Sequence, residues 1–185
     1  RILLLYASAG GGHKRAAQAM EAYFREHLPG AEVRVEDALR HVGRAVNALC
    51  CDGYKFSAKH APQIFGTLYR STNRDTKFAA LLPRVNGMLA RKLLPLIEEF
   101  RPDVILDTYH FAGQMVSRLK EKGLVSAPLV NVVTDYGPHM AWLAPQVDAY
   151  VVAEDGLRDA FVRMGAPKEK IHTFGIPIFE AFYQE

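Results

Sequence analysis

ILLLYASAGGGHKRAAQA, residues 2–19, is the stretch that decides how the chain is read. Ile2 to Tyr6 is an apolar run of strand length, followed by two small residues, three consecutive glycines and His13. An Ala-rich amphipathic segment comes next. Strand, tight turn and helix in that order place the backbone N–H groups of Gly11, Gly12 and His13 at a helix N-terminus. Unpaired donors and the helix dipole favour an anion or a developing oxyanion there. Glycines lack the Cβ atoms that keep a ligand from the backbone. Gly10, Gly11 and Gly12 are therefore expected to bind a phosphate or acceptor oxygen. His13, with a side-chain pKa near the working pH, is expected to accept a proton.

The glycines do not form a nucleotide fingerprint. G-x-G-x-x-G needs glycine where Arg15 stands, and a P-loop needs lysine where His13 stands. Glu36 and Asp37 fall near the place of the ribose-binding acid of a dinucleotide fold. With the glycine pattern failing, Asp37 reads as a helix cap.

Outward from this stretch, Ala16, Ala17, Met20, Tyr23, Phe24 and Leu28 recur at helical spacing up to the stop at Pro29-Gly30. Val33 and Val35 alternate with charged residues in a short second strand. Further strands are expected over Val104–Leu106, Leu129–Val133, Ala149–Val152 and Ile171–Phe174. Helices are expected over Ala112–Lys122, closed by Gly123, and Asp155–Met164, stopped at Gly165. Alternating strands and helices imply an α/β fold with a doubly wound, Rossmann-like parallel sheet of about six strands and helices on both faces. Ligands of such sheets bind outside the carboxyl ends of the strands. Ser8 to His13, Tyr109-His110, and Thr134-Asp135 with His139 and Trp142 all fall at those ends. Asp135 there can orient a histidine or a hydroxyl. His110 by itself reads as a hydrogen-bonded surface histidine.

Residues 38–100 form a long crossover without a convincing strand. It reads as helical pieces broken at Gly53, Pro62, Asn73 and Pro83, with Met88 to Phe100 as a long final helix. Connections this long are usually functional. From Ala38 to Lys92 there are ten Lys/Arg against two Asp, a charge of +8 in a chain whose net charge is +3. That asymmetry points to an anionic partner. Arg70, Arg74, Lys77 and Arg84 are the candidates for a membrane surface, where each cation near the headgroups contributes about 1 kcal/mol. Nucleic acid is not expected, because no recognition motif is present. No apolar run approaches the ~20 residues of a membrane span, and no signal-peptide pattern is seen. Arg1 is no initiator residue, so the chain is expected to be part of something longer. Cys50 and Cys51 are adjacent, with no CxxC, which fits a reducing cytoplasm and gives no metal signature.

Several of these stretches together resemble a known family. They are Ser8-Ala9-Gly10-Gly11-Gly12-His13 with Ala16-Ala17, Tyr54-Lys55-Phe56 with Lys59-His60, and Arg101-Pro102-Asp103. Thr134-Asp135 with His139 and Trp142, and Gly175-Ile176-Pro177-Ile178, complete the set. The combination is similar to the amino-terminal domain of the diacylglycerol glycosyltransferases: the monogalactosyldiacylglycerol synthases and the bacterial processive glucosyltransferases, relatives of the lipid II-forming transferase MurG.

The resemblance implies a GT-B enzyme that inverts at the sugar and needs neither metal nor cofactor, with a UDP-sugar as co-substrate. It implies that residues 1–178 form the acceptor domain, that 179–185 begin the interdomain linker, and that the UDP-sugar domain lies outside this chain. The isolated chain would then be inactive. The expected partners are diacylglycerol or another lipid acceptor and an anionic membrane surface. The expected location is peripheral, on the cytoplasmic face of the cell membrane. The family's proposed base maps onto His13, and its Thr-Asp-x-x-x-His stretch onto Thr134, Asp135 and His139. Plant members carry a longer insertion than this crossover, so plant-style lipid activation is not carried over. Two other readings remain at this point: a MurG-like transferase with another lipid-linked acceptor, and a non-catalytic Rossmann module that binds nucleotide or lipid.

Overall fold

The computed structural model describes residues 1–8, 11–43 and 88–182. Gly10, Cys50, Cys51, Arg70, Arg74, Lys77 and Arg84, and the expected helix breaks at Gly53, Pro62, Asn73 and Pro83, lie outside them.

Six strands form one parallel sheet: β1 (Ile2–Tyr6), β2 (Val33–Asp37), β3 (Val104–Asp107), β4 (Leu129–Val132), β5 (Ala149–Val152) and β6 (Ile171–Thr173). Their order is β2-β1-β3-β4-β5-β6, and every neighbouring pair is parallel. The helices are α1 (Gly12–His27), α2 (Ala38–Val42), α3 (Leu94–Phe100), α4 (His110–Glu121) and α5 (Asp155–Arg163). The expected strand–helix alternation is present, and so are the glycine stops. Gly123 and Gly165 both take positive φ, at 68° and 100°.

Alternation along β1 sorts its side chains between two cores. Leu3 and Leu5 face the larger core, with Ala38 and Val42 of α2, Leu96 and Ile97 of α3, Met115 of α4 and Phe161 of α5. Leu4 faces the smaller core, with Met20 of α1 and Val132 of β4. Helices thus flank both faces of a sheet whose strands are mostly apolar, as buried parallel strands require.

Two differences from the sequence reading go beyond a single residue at an element's end. The helix expected to run unbroken from Met88 to Phe100 contains a 3₁₀ turn at Arg91–Leu93 before α3. Pro95 is the physical reason: it has no N–H to bond a carbonyl four residues back, and the tighter turn bonds Leu94 N–H to Arg91 instead. The helix expected from Ala112 begins at His110, so His110 lies in its first turn. Asp37 caps as expected. Its Oδ1 accepts from Leu39 N–H at 3.1 Å, and its Oδ2 accepts from Ser8 Oγ at 2.5 Å.

Gly113, inside α4, marks a polar spot in this apolar sandwich. A Cβ there would collide with Asp107 Oδ2 and stand 2.7 Å from Asn131 Oδ1. Replacing an interior helix glycine by alanine normally stabilises by about 1 kcal/mol. Here Gly113→Ala is expected to destabilise instead, by about 1–3 kcal/mol, because the core must open to admit the methyl group. Urea unfolding of the two proteins measures the sign directly.

Candidate functional site

Sheet order changes direction between β1 and β3, and ligands of such sheets bind at that switch point. His13 is the second residue of α1, directly after β1. Thr108 follows β3, and Thr134 follows β4. The fold brings these three together. His13 Nδ1 lies 2.6 Å from the Thr108 carbonyl oxygen and 2.7 Å from Thr134 Oγ1. A carbonyl only accepts, so Nδ1 carries the proton and the free lone pair sits on Nε2. The Thr134 hydroxyl is placed to donate to the same Thr108 oxygen, at 3.3 Å. Thr108 Oγ1 donates to the backbone carbonyl of His13 at 2.9 Å, so the two residues are tied twice. The ring of Tyr109 packs edge-on to the imidazole at 4.9 Å.

Electrostatics favour the neutral ring. Burial holds His13 below the usual histidine range, against the Asp135 carboxylate and the Thr108 carbonyl, which favour the cation. The positive end of α1 acts in the same direction as burial. His13 is thus a neutral imidazole with a fixed tautomer.

The glycines are left bare. Gly11 is the N-cap of α1, in an ordinary right-handed conformation with φ −89°. Cβ atoms built on Gly11 or Gly12 would meet none of the described residues within 4 Å. Neither backbone conformation nor packing against the described residues calls for glycine at these two positions.

Other expected site residues have different work. Asp135 does not hydrogen-bond His13; its Oδ2 accepts from Trp142 Nε1 at 2.9 Å. It acts on His13 through charge alone. Trp142, which its place in the sequence puts at the rim, is fully buried in the main core, where an indole of that size is well accommodated. His139 is 4% exposed, and its Nδ1 accepts from Ala141 N–H, capping the short 3₁₀ turn at Met140–Trp142. These two side chains shape the rim from behind rather than present themselves to a ligand. His110 is half-buried among aromatic rings. Its ring lies 4.7 Å from Tyr109, 5.7 Å from Trp142 and 6.1 Å from His139.

Thr108 escaped the sequence reading because its role is carried by a backbone carbonyl, which no side-chain pattern encodes. Asp107 and Asn131 escaped it too. The available signal was a polar residue interrupting the apolar runs of β3 and of β4. No group of three or more His, Cys, Asp or Glu among the described residues is arranged to hold a metal ion. None of the described helices is long and apolar enough to cross a membrane.

Comparison with known proteins bears on this rim. The family model of monogalactosyldiacylglycerol (MGDG) synthase matches residues 13–178. The chain belongs to the MGDG synthase family. A processive diacylglycerol beta-glucosyltransferase of Staphylococcus saprophyticus is 28% identical over 183 residues, covering 98% of this chain and 45% of the relative. Relatives with the same name from Bacillus cereus and Bacillus mycoides are each 29% identical over 185 residues, covering 98% of this chain and 46% of the relative. The chain therefore spans just under half the length of these relatives. The MGDG synthase match begins at His13 and ends at Ile178, past the sixth strand.

His110 gives this rim a pH signature. Burial, then the neighbouring His139 and His13, push its pKa down to about 3. An unfolded histidine titrates near about 6.5, so between these values the unfolded chain binds a proton that the folded chain refuses. Stability then falls as pH is lowered through that window. His110→Phe is expected to flatten the decline in melting temperature between about pH 6.5 and pH 4, measured by thermal denaturation at a series of pH values.

Proposed function

We propose that this chain is the acceptor half of an inverting, UDP-sugar-dependent glycosyltransferase that moves a hexose onto diacylglycerol. One observation carries the reading. His13 has its Nδ1–H committed to the Thr108 carbonyl, which leaves the lone pair on Nε2, and it directly follows Gly11 and Gly12, where an added Cβ would meet none of the described residues. It does so in a family whose relatives are named diacylglycerol glucosyltransferases.

The step runs as follows. The primary hydroxyl of the acceptor gives its proton to His13 Nε2 as its oxygen attacks the anomeric carbon of the sugar. The bond from that carbon to the UDP oxygen breaks, UDP leaves with the electron pair, and the configuration inverts. Asp135 offsets the charge of the imidazolium formed, which burial and the α1 dipole otherwise disfavour. The N–H groups of the glycine turn, with Gly10 included on sequence grounds, stabilise oxygen charge nearby. Tyr109 and Thr134 line the acceptor side next to His13.

On this reading residues 1–178 are the acceptor domain, 179–185 start the linker, and a further domain beyond this chain holds the UDP-sugar. No metal or other cofactor takes part. The basic crossover, with Arg70, Arg74, Lys77 and Arg84, holds the domain on the anionic cytoplasmic face of the membrane. Its support is the charge of +8 between Ala38 and Lys92.

In the full-length enzyme, His13→Ala is expected to lower kcat about 10²–10⁴-fold while leaving the dissociation constant for the UDP-sugar within about twofold. Steady-state rates with diacylglycerol and calorimetric titration of the UDP-sugar measure both. Near-normal turnover removes His13 from the reaction. Replacing Arg70, Arg74, Lys77 and Arg84 together by Gln is expected to abolish flotation with anionic liposomes. Equal binding of the unaltered protein to neutral and anionic vesicles would refute the electrostatic reading.

A further inference from the structure

Asp107 and Asn131 are directly opposed in the β3–β4 register, and both are fully buried. Among the described residues Asp107 Oδ2 and Asn131 Oδ1 have no hydrogen-bond partner. Both oxygens face the small space that Gly113 leaves open, since a Cβ there would meet each of them. Two acceptors cannot share a dry space without a hydrogen between them. Turning the Asn131 amide over does not supply it. Nδ2 donates to the Trp142 carbonyl at 2.9 Å, and the turned amide would set oxygen against oxygen there.

The other oxygen of Asp107 is spoken for. Oδ1 accepts the N–H of Tyr109 at 3.1 Å. That N–H belongs to the same peptide unit as the Thr108 carbonyl, the group that holds His13 Nδ1. One rigid, planar peptide is thus gripped at one end by Asp107 and grips His13 at the other. On the β4 side Asn131 holds the Trp142 carbonyl, and the Trp142 indole holds Asp135.

We propose that Asp107 is protonated in the folded protein, that its carboxyl O–H donates to Asn131 Oδ1, and that this pair is a positioning device fixing the Thr108–Tyr109 peptide against His13. Burial pushes the Asp107 carboxyl well above the usual carboxylate range, and the Tyr109 N–H only partly opposes it. The titratable group facing it from β5 is Tyr150, whose own pKa is raised. Among the described residues no cation opposes the effect of burial on the carboxyl. Asp107 is a positioning residue and does not touch the reacting atoms. Its protonation stands independently of the proposed reaction; its positioning role rests on His13 being the base.

The experiment has two arms that fail separately. In the 185-residue chain at neutral pH, the infrared difference spectrum between wild type and Asp107→Asn is expected to contain the carbonyl band of one neutral carboxylic acid. A carboxylate pair of bands in its place overturns the proposal. Asp107→Asn keeps an acceptor for Tyr109 and supplies a donor for Asn131, whereas Asp107→Ala removes both. Nitrogen NMR of His13 should therefore report the Nδ1–H form in wild type and Asp107→Asn, and a mixture of tautomers in Asp107→Ala. In the full-length enzyme Asp107→Asn is expected to keep kcat within about twofold. Asp107→Ala should lose about 10- to 100-fold in kcat with little change in KM for the UDP-sugar. A loss in Asp107→Asn as deep as in Asp107→Ala overturns the positioning role. Should Asp107→Ala fail to fold, the infrared and NMR comparison of wild type with Asp107→Asn still decides. If His13→Ala retains turnover while the infrared band is present, the assignment of the base fails and the protonated pair stands.

Discussion

A hydrogen bond from His13 Nδ1 to the Thr108 carbonyl joins the first helix to the end of the third strand, and much of the surrounding structure serves to hold it. The helix can present His13 there only because α1 starts within six residues of the end of β1. The carbonyl can receive it only because β3 pairs directly with β1. In the strand order β1 lies between β2 and β3, so the strands on either side of it are consecutive in sequence. Without this bond the imidazole would exchange between two tautomers, one of which carries its proton on Nε2 and has no lone pair there.

The same rim is arranged so that histidines stay neutral. His13 and His110 both lie below the usual histidine range, with burial the leading cause for each. For His13 the positive end of α1 adds to the effect. A base needs an available lone pair, and desolvation provides one at neutral pH without any strongly basic group. The cost falls on stability at lower pH, where an unfolded chain can take up protons that this packing refuses. Asp135 moderates the arrangement at His13 by supplying negative charge near the ring without bonding to it.

Much of the architecture was legible in residues taken a few at a time. Leu3, Leu4 and Leu5 declare a two-sided buried strand, Ala16, Ala17 and Met20 a helix face, and Gly123 and Gly165 the helix ends. Asp37 was readable as a cap because capping is local chemistry between near neighbours. The 3₁₀ turn before α3 was within reach too, through Pro95, but the apolar spacing from Met88 to Phe100 masked it. Trp142 was harder. A lone tryptophan between two polar clusters looks like a ligand contact, and only its complete burial assigns it to the core.

Sequence alone determined the alternation of strands and helices, the glycine-to-histidine turn, the basic crossover and the family resemblance, since each is written in neighbouring residues or in their order. Tertiary structure decided which atoms meet. It set the His13 tautomer through a backbone carbonyl 95 residues away. It turned Asp135 towards an indole, and it buried Asp107 opposite Asn131 beneath a helix glycine. Those outcomes depend on strand register and on desolvation, which arise only when distant segments pack together and exclude water.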